Sequence, residues 1–63
     1  MRKFTYYCIA LQGWVTLEAD KIEISDYGVL RFLRLFTVDG LTEPKLRIVH
    51  AEPPSGWSHL RAL

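Results

Sequence analysis

The sequence predicts an all-β fold of four to five antiparallel strands, arranged as a meander and curled toward an SH3-like partial barrel, with little helix. Turn-forming residues divide the chain into short pieces, which is typical of small barrels and sandwiches. Apolar side chains in these pieces follow a two-residue period, and no segment sustains the 3.6-residue period of an amphipathic helix. The length of 63 residues suits one small domain over residues 1–63.

The first predicted strand covers residues 3–11 (KFTYYCIAL) and is apolar on both faces. One face holds Phe4, Tyr6, Cys8 and Ala10, and the other holds Tyr7, Ile9 and Leu11. A strand of this kind is usually buried on both sides, but a chain this short has little interior. We therefore expect the second face to contact another subunit, and we expect the next turn at Gln12–Gly13.

The second predicted strand, residues 14–25, changes parity halfway along. Its apolar residues before and after the change are Val15, Leu17 and Ala19, then Ile22 and Ile24. A β-bulge near Asp20–Lys21 restores one apolar face, because it inserts a residue and bends the strand. Bends of this kind help a small sheet to curl.

The third predicted strand, residues 29–38, follows a turn at residues 26–28 (Asp-Tyr-Gly). The turn is predicted because glycine adopts positive φ and aspartate bonds to nearby backbone. Both faces of this strand carry apolar groups, since Leu33 and Leu35 share the face of Arg31, opposite the phenylalanines. This second apolar face is the part of the hairpin that we expect to meet another molecule.

The rest of the chain is predicted to form one or two further strands. A turn at Asp39–Gly40, widened by residues 41–44, precedes the fourth predicted strand over residues 45–51. Pro53–Pro54 ends the pairing, because neither proline has an amide hydrogen to donate. The last segment, residues 56–63, is predicted as an edge strand or a single helical turn.

Two stretches, ADKIEISDYGVLRFLRL (residues 19–35) and LRIVHAEPPSGW (residues 46–57), carry a recognisable pattern of strands and turns. On these residues the chain resembles a group of small uncharacterised β-meander proteins of phage and prophage type. The matching positions are Ala19, Asp20, Ile22, Glu23, Ile24, Gly28, Val29, Leu30, Phe32, Arg34, Pro54, Gly56 and Trp57. The FTVDGLTEP connection and the strand with His50 depart from the pattern. The resemblance implies a fold and a viral context, and it carries no activity.

A second resemblance suggests an alternative function. The stretch LQGWVTLEAD (residues 11–20) resembles the start of the Sm-like RNA-binding fold, which implies a small barrel that binds single-stranded nucleic acid. However, eight Lys/Arg and seven Asp/Glu are interspersed, with a formal net charge of +1. A nucleic-acid-binding domain usually shows a basic excess on one face, so we do not expect nucleic acid as the partner.

The sequence also predicts a cytoplasmic location, in the host cytoplasm if the protein is viral. Met-Arg-Lys resembles the start of a signal peptide, but residues 4–11 lack a clean apolar core. No segment approaches the ~20 apolar residues of a membrane span. Cys8 is the single cysteine, which excludes an internal disulfide and fits a reducing compartment.

Residues with catalytic or metal-binding chemistry are few. Cys8, His50 and His59 lack the spacing of a zinc site. Cys8 with His50 would need an exposed thiol, and Cys8 lies in an apolar strand. Serine catalysis near His59 would need a pocket that so short a chain has little room to build. We therefore expect no enzyme activity, no metal and no cofactor.

Aromatic and apolar residues carry the functional prediction, which is a non-enzymatic interaction module that self-associates and binds a protein partner. Trp and Tyr are enriched at interface anchors, since they bury large area and keep a polar group. The predicted partner-binding residues are Trp14, Tyr27, Arg31, Leu33, Leu35 and Trp57. For Trp57, which follows a rigid Pro-Pro-Ser-Gly loop, packing back over the end of the sheet is the alternative.

Overall fold

A computed structural model describes residues 2–37, 40 and 43–63 of the chain. These residues form six strands in two antiparallel three-stranded sheets, with the orders β2-β1-β6 and β3-β4-β5. The strands are β1 Arg2–Cys8, β2 Gly13–Ala19, β3 Lys21–Ile24, β4 Leu30–Phe36, β5 Lys45–Glu52 and β6 Trp57–Ala62. The predicted all-β antiparallel class is therefore confirmed, and the described residues contain no helix.

The arrangement differs from the prediction in three respects. The strands number six rather than four to five, and the two sheets do not close into a barrel. The order is not a simple meander, because β6 returns to pair with β1. The predicted end of the third strand at Val38, and Asp39, Leu41 and Thr42 of the following predicted turn, lie outside the described residues.

β1 is the central strand of the first sheet and places one face against the core. Its partner β2 sets Leu17 opposite Phe4 and Val15 opposite Tyr6, so the alternation predicted for the start of the second strand is confirmed. β6 pairs along the other edge of β1, which makes the last predicted segment a strand and not a helical turn. It follows that side chains of the opposite parity, such as Tyr7, lie on the outer face of this sheet.

The first strand ends earlier than predicted, at Cys8 instead of Leu11. The reason is a turn over residues 9–12, in which the Gln12 amide donates to the Ile9 carbonyl at 3.2 Å. Gln12, with φ of 53°, is in the left-handed region, so the predicted Gln12–Gly13 turn lies slightly earlier in the chain. Ile9 and Leu11, which were predicted to be on the second face of the strand, are exposed in this turn.

The bend predicted near Asp20–Lys21 is present, but it is a corner between the two sheets and not the predicted β-bulge within one strand. β2 ends at Ala19 and β3 begins at Lys21, so the predicted strand over residues 14–25 is two strands in two sheets. The Asp20 amide donates to the Leu33 carbonyl at 2.9 Å, and its carboxylate accepts the Leu35 amide at 2.7 Å. Asp20 thus extends the β3–β4 ladder with both its backbone and its side chain.

The second sheet is built on two hairpins. The predicted turn at residues 26–28 is confirmed, with Gly28 at φ of +85° and its amide donating to the Ser25 carbonyl at 2.9 Å. β4 pairs on its other side with β5, which ends at Glu52 directly before the prolines. A register shift follows Phe32, since Phe32 pairs with His50 and the next residue, Leu33, pairs with Ile48.

The core lies between the two sheets. Its buried residues are Phe4, Tyr6, Cys8, Ala19, Leu30 and Phe32. The Phe32 ring centre lies 6.3 Å from that of Phe4 and 5.6 Å from that of Tyr6, which are ordinary distances for packed aromatic pairs. Burial of one such ring stabilises a fold by about 1.5–3 kcal/mol, so this aromatic trio supplies much of the stability of so small a domain.

Candidate functional site

The outer face of the first sheet carries an open depression of about 360 Å³, here called the aromatic depression. Its lining residues are Tyr7, Ile9, Trp14, Ser58, His59 and Arg61. Tyr7 and Trp14 are direct cross-strand partners, and their rings meet edge to face at 5.7 Å. Trp14 keeps 56% of its surface exposed, so a large aromatic ring is held in a fixed place and open to solvent.

A bulge in β6 brings additional polar groups to the aromatic depression. Ser58 pairs with Tyr7 and Arg61 pairs with Thr5, so two residues of β6 lie opposite one of β1. His59 has a φ of 54°, and its ring centre lies 6.2 Å from that of Trp14. The Arg61 guanidinium carbon lies 6.0 Å from the indole centre. The bulge therefore places an imidazole and a cation beside the same indole.

The β4–β5 hairpin presents a second candidate surface, the hairpin patch, formed by Leu33, Leu35, Leu46 and Ile48. Leu33 pairs with Ile48 and Leu35 pairs with Leu46, so all four lie on one face. Three of them are exposed, with fractions of 50% for Leu35, 42% for Leu46 and 57% for Ile48. Contiguous aliphatic exposure of this kind marks interaction sites more often than scattered single residues do.

The opposite face of the same hairpin is basic. Arg34 pairs with Arg47, and Phe36 pairs with Lys45. The guanidinium carbons of Arg34 and Arg47 lie 5.9 Å and 5.8 Å from the Phe36 ring centre. In the part of the hairpin from Leu33 to Phe36 the two faces therefore differ in character, with aliphatic side chains on one and cations around a phenylalanine on the other, while Arg31 lies further along the aliphatic face.

A polar cluster joins the two sheets at the edge of the core. The Tyr6 hydroxyl lies 2.9 Å from His50 Nε2, and the same nitrogen lies 3.1 Å from Glu52 Oε1. The Cys8 thiol donates to Glu52 Oε2 at 3.7 Å. Burial, together with the charges of Glu52 and Cys8, raises the pKa of Tyr6 to about 12, so the phenol keeps its proton at neutral pH.

The polar cluster has the properties of a structural link. Cys8 is only 4% exposed, which closes its sulfur to a substrate. Among the residues that the structure describes, no group of three or more His, Cys, Asp or Glu side chains is placed to hold a metal ion. Since β1 contributes Tyr6 and Cys8 while β5 contributes His50 and Glu52, the cluster links the central strand of the first sheet to an edge strand of the second.

The structure separates the six predicted partner-binding residues. Trp14 lies in the aromatic depression and Leu35 in the hairpin patch, on different sheets. Tyr27, 86% exposed, lies at the turn between β3 and β4. Arg31 is half-buried, opposite Glu23 on the face of Leu33. The prediction that Leu33 and Leu35 share the face of Arg31 therefore agrees with the strand register.

Two of the six are less accessible than a partner-binding role requires. Leu33 is 7% exposed, because it occupies the central strand between Lys21 and Ile48. Trp57 is half-buried against the core, and its indole N–H donates to the Gly28 carbonyl at 2.9 Å. The packed alternative that the sequence left open for Trp57 is the arrangement observed.

Sequence reasoning missed several residues of both surfaces. Leu46 and Ile48 alternate with cations in KLRI, a signal that was available in the sequence. His59 and Arg61 had no comparable signal, since their approach to Trp14 depends on a bulge at a residue that is not glycine. In the same way, no local pattern indicates that His50 meets Tyr6.

Comparisons with protein-family models, curated proteins and solved structures find no match for the chain. In the part of the chain that the structure describes, no helix has the length and apolar character needed to cross a membrane.

Proposed function

We propose that this protein is a non-enzymatic interaction module that self-associates through the hairpin patch. The observation that carries the proposal is the alignment of three exposed aliphatic side chains, Leu35, Leu46 and Ile48, on one face of paired strands. Burying such side chains is worth about 25 cal/mol per Å². A second copy offers the same surface across a two-fold axis, which is the usual geometry of homodimers.

The distribution of charge favours face-to-face packing of two hairpin patches. Arg34, Lys45 and Arg47 alternate with the patch residues along the paired strands and therefore lie on its reverse side. Packing patch against patch leaves these cations in solvent. Pairing of two β5 edges centred on Leu46 would instead place Lys45 of each copy opposite Arg47 of the other, and like charges directly opposite each other are unfavourable.

The small size of the core supports the same proposal. The chain has 63 residues and one cysteine, and the core cluster of the described residues contains six buried side chains. Domains of this size commonly gain stability from oligomerisation where disulfides and metals are lacking. An additional protein partner would use the same patch and compete with self-association. A cytoplasmic location and a phage-type origin complete the proposal, on the grounds of the single cysteine and the sequence resemblance.

Sedimentation velocity over a wide concentration range tests the proposal. We expect a dimer whose population rises with concentration, and we expect Ile48→Lys to shift it to monomer. Tyr27→Lys is the matched control, because it introduces the same charge at an exposed apolar residue outside the patch. A wild-type protein that remains monomeric at the highest concentrations would refute self-association. Equal effects of both variants would refute the patch.

A further inference from the structure

The aromatic depression is not used by self-association through the hairpin patch, and its composition is specific. It lies on the outer face of the first sheet, whereas the patch lies on β4 and β5 of the second. Its lining combines two aromatic rings, an imidazole, a guanidinium, a hydroxyl and one aliphatic side chain. None of the six lining residues is acidic.

The indole of Trp14 provides the planar surface of this site. The indole meets the rings of Tyr7 on β1 and His59 on β6 edge to face, with centre-to-centre distances of 5.7 Å and 6.2 Å. These contacts hold the indole in place. Because the ring is already ordered and half-exposed, a planar ligand could stack on it without the cost of ordering a mobile side chain. Stacking on aromatic side chains is the general means by which proteins hold unpaired bases.

Arg61 provides the charge of this site. Its guanidinium carbon lies over the indole, 6.0 Å from the ring centre. The ion pairs formed among the described residues, Lys21–Glu23 and His50–Glu52, do not include it. A guanidinium presents a planar set of donors that matches phosphate oxygens. His59, hydrogen-bonded through Nδ1 to the Ser58 hydroxyl at 2.9 Å, lies on the same side of the sheet.

We propose that the aromatic depression binds a nucleotide unit, with the base stacked on Trp14 and the phosphate held by Arg61. The site offers an aromatic surface and a cation, so it favours a ligand that carries both a planar ring and an anion. A neutral sugar would be expected to find carboxylate or amide partners, which the lining lacks. An acyl chain would need an enclosed apolar channel instead of an open depression. Single-stranded nucleic acid and a free nucleotide both present such a base and phosphate.

Fluorescence anisotropy at low salt tests the proposal with two probes. A fluorescein-labelled oligothymidylate represents single strands, and competition by AMP represents the free nucleotide. We expect saturable binding that weakens as salt is added, because phosphate contacts release counterions. Displacement by AMP at moderate concentration would identify a mononucleotide site, and resistance to AMP would identify a single-strand site. Both results support the proposal.

Matched variants locate the binding. Trp14→Ala should weaken oligonucleotide binding about tenfold or more, the usual value of one stacked base, and Arg61→Gln should weaken it and reduce its salt dependence. Tyr27→Ala and Arg34→Gln remove an exposed aromatic ring and a cation elsewhere, so they should leave binding unchanged. If Trp14→Ala fails to fold, the indole N–H resonance of Trp14 in the wild type should shift on titration, whereas that of Trp57 should not.

Two results would overturn the proposal. One is the absence of binding to either probe at low salt. The other is binding that Arg34→Gln weakens as much as Arg61→Gln does, because this would place the ligand on the basic side of the hairpin. Self-association of Trp14→Ala should equal that of the wild type, so failure of this site and failure of the hairpin patch are distinguishable.

Discussion

The hydroxyl of Tyr6 lies 2.9 Å from Nε2 of His50, and this contact connects the central strand of one sheet to the edge strand of the other. Tyr6 is 1% exposed and packs against Phe32, with the ring centres 5.6 Å apart and the rings tilted by 32°. One side chain thus contributes to the aromatic core with its ring and to the polar cluster with its oxygen.

Tyr6→Phe should lower the free energy of unfolding by about 1 kcal/mol, the usual net value of one hydrogen bond. The ring remains, so core packing is preserved. Urea denaturation followed by tryptophan fluorescence would measure the change. Tyr27→Phe is the control, because that hydroxyl is on an 86% exposed side chain and its loss should be nearly neutral.

The pKa of Tyr6, raised from 10.0 to about 12 by burial first and by Glu52 and Cys8 second, predicts a loss of stability in alkali. The folded state favours the protonated phenol. Its contribution is therefore complete below about pH 10 and is lost as the pH rises toward about 12. Urea midpoints across this range should fall more steeply for the wild type than for Tyr6→Phe. Parallel pH profiles would contradict the prediction.

Phe32→Ala should unfold the domain at room temperature. Phe32 is 0% exposed and packs against both Phe4 and Tyr6. Truncation of such a ring costs about 3–5 kcal/mol, which equals what the core of so small a domain supplies. Circular dichroism would detect the loss of folded structure. Phe36→Ala, at a ring that is 37% exposed, should remain folded.

Trp57→Phe should lower stability without changing self-association. It removes the indole N–H that donates to the Gly28 carbonyl, at a cost of about 1 kcal/mol. Thermal melting should show a reduced Tm for this variant and little change for Trp14→Phe, whose ring is exposed. An unchanged Tm combined with loss of the dimer would instead support Trp57 as an interface anchor, the role that the sequence suggested.

Asp20→Ala should loosen the corner between the sheets. Its carboxylate accepts the Leu35 amide at 2.7 Å, a charge-assisted bond of the stronger kind. We expect a loss of about 1 kcal/mol and faster hydrogen exchange at Leu35, measured by NMR. Asp26→Ala, in the exposed turn that follows β3, should leave the exchange of Leu35 unchanged.

Patterns within one strand were predictable from the sequence, and relations between distant strands were not. The parity change between Ala19 and Ile22 predicted a bend at Asp20, because alternation has a fixed period. The transfer of the chain to another sheet at this point depends on Leu33 and Leu35, which bond to Asp20 from another strand. The strand predicted over residues 45–51 follows from local composition, and the observed strand is one residue longer, Lys45–Glu52.

The candidate sites were less predictable, since they depend on register and bulges. Trp14 and Leu35 are predicted to bind a partner because Trp is enriched at interface anchors and Leu35 lies on the second apolar face of its strand. The position of Arg61 next to Trp14 depends on an extra residue in β6. The segment WSHLRA contains no glycine or proline that would indicate this bulge. The cross-strand pairing of Leu46 with Leu35 depends on the register of β4 and β5, which are joined by a long connection.

The pairing of β1 with β6 brings together strands from opposite ends of the described chain. Phe4 lies opposite Ala62, and the Leu63 amide donates to the Lys3 carbonyl at 2.8 Å. A short linker could therefore join residues 63 and 2, and new N- and C-termini could be placed at the exposed Tyr27 turn. Every strand pair would survive this circular permutation. The most distant pairing would become a local hairpin, whereas β3 and β4 would move to opposite ends of the chain. The permutation should therefore exchange one long-range pairing for another, so that the slow loop closure falls on β3 and β4 instead of β1 and β6.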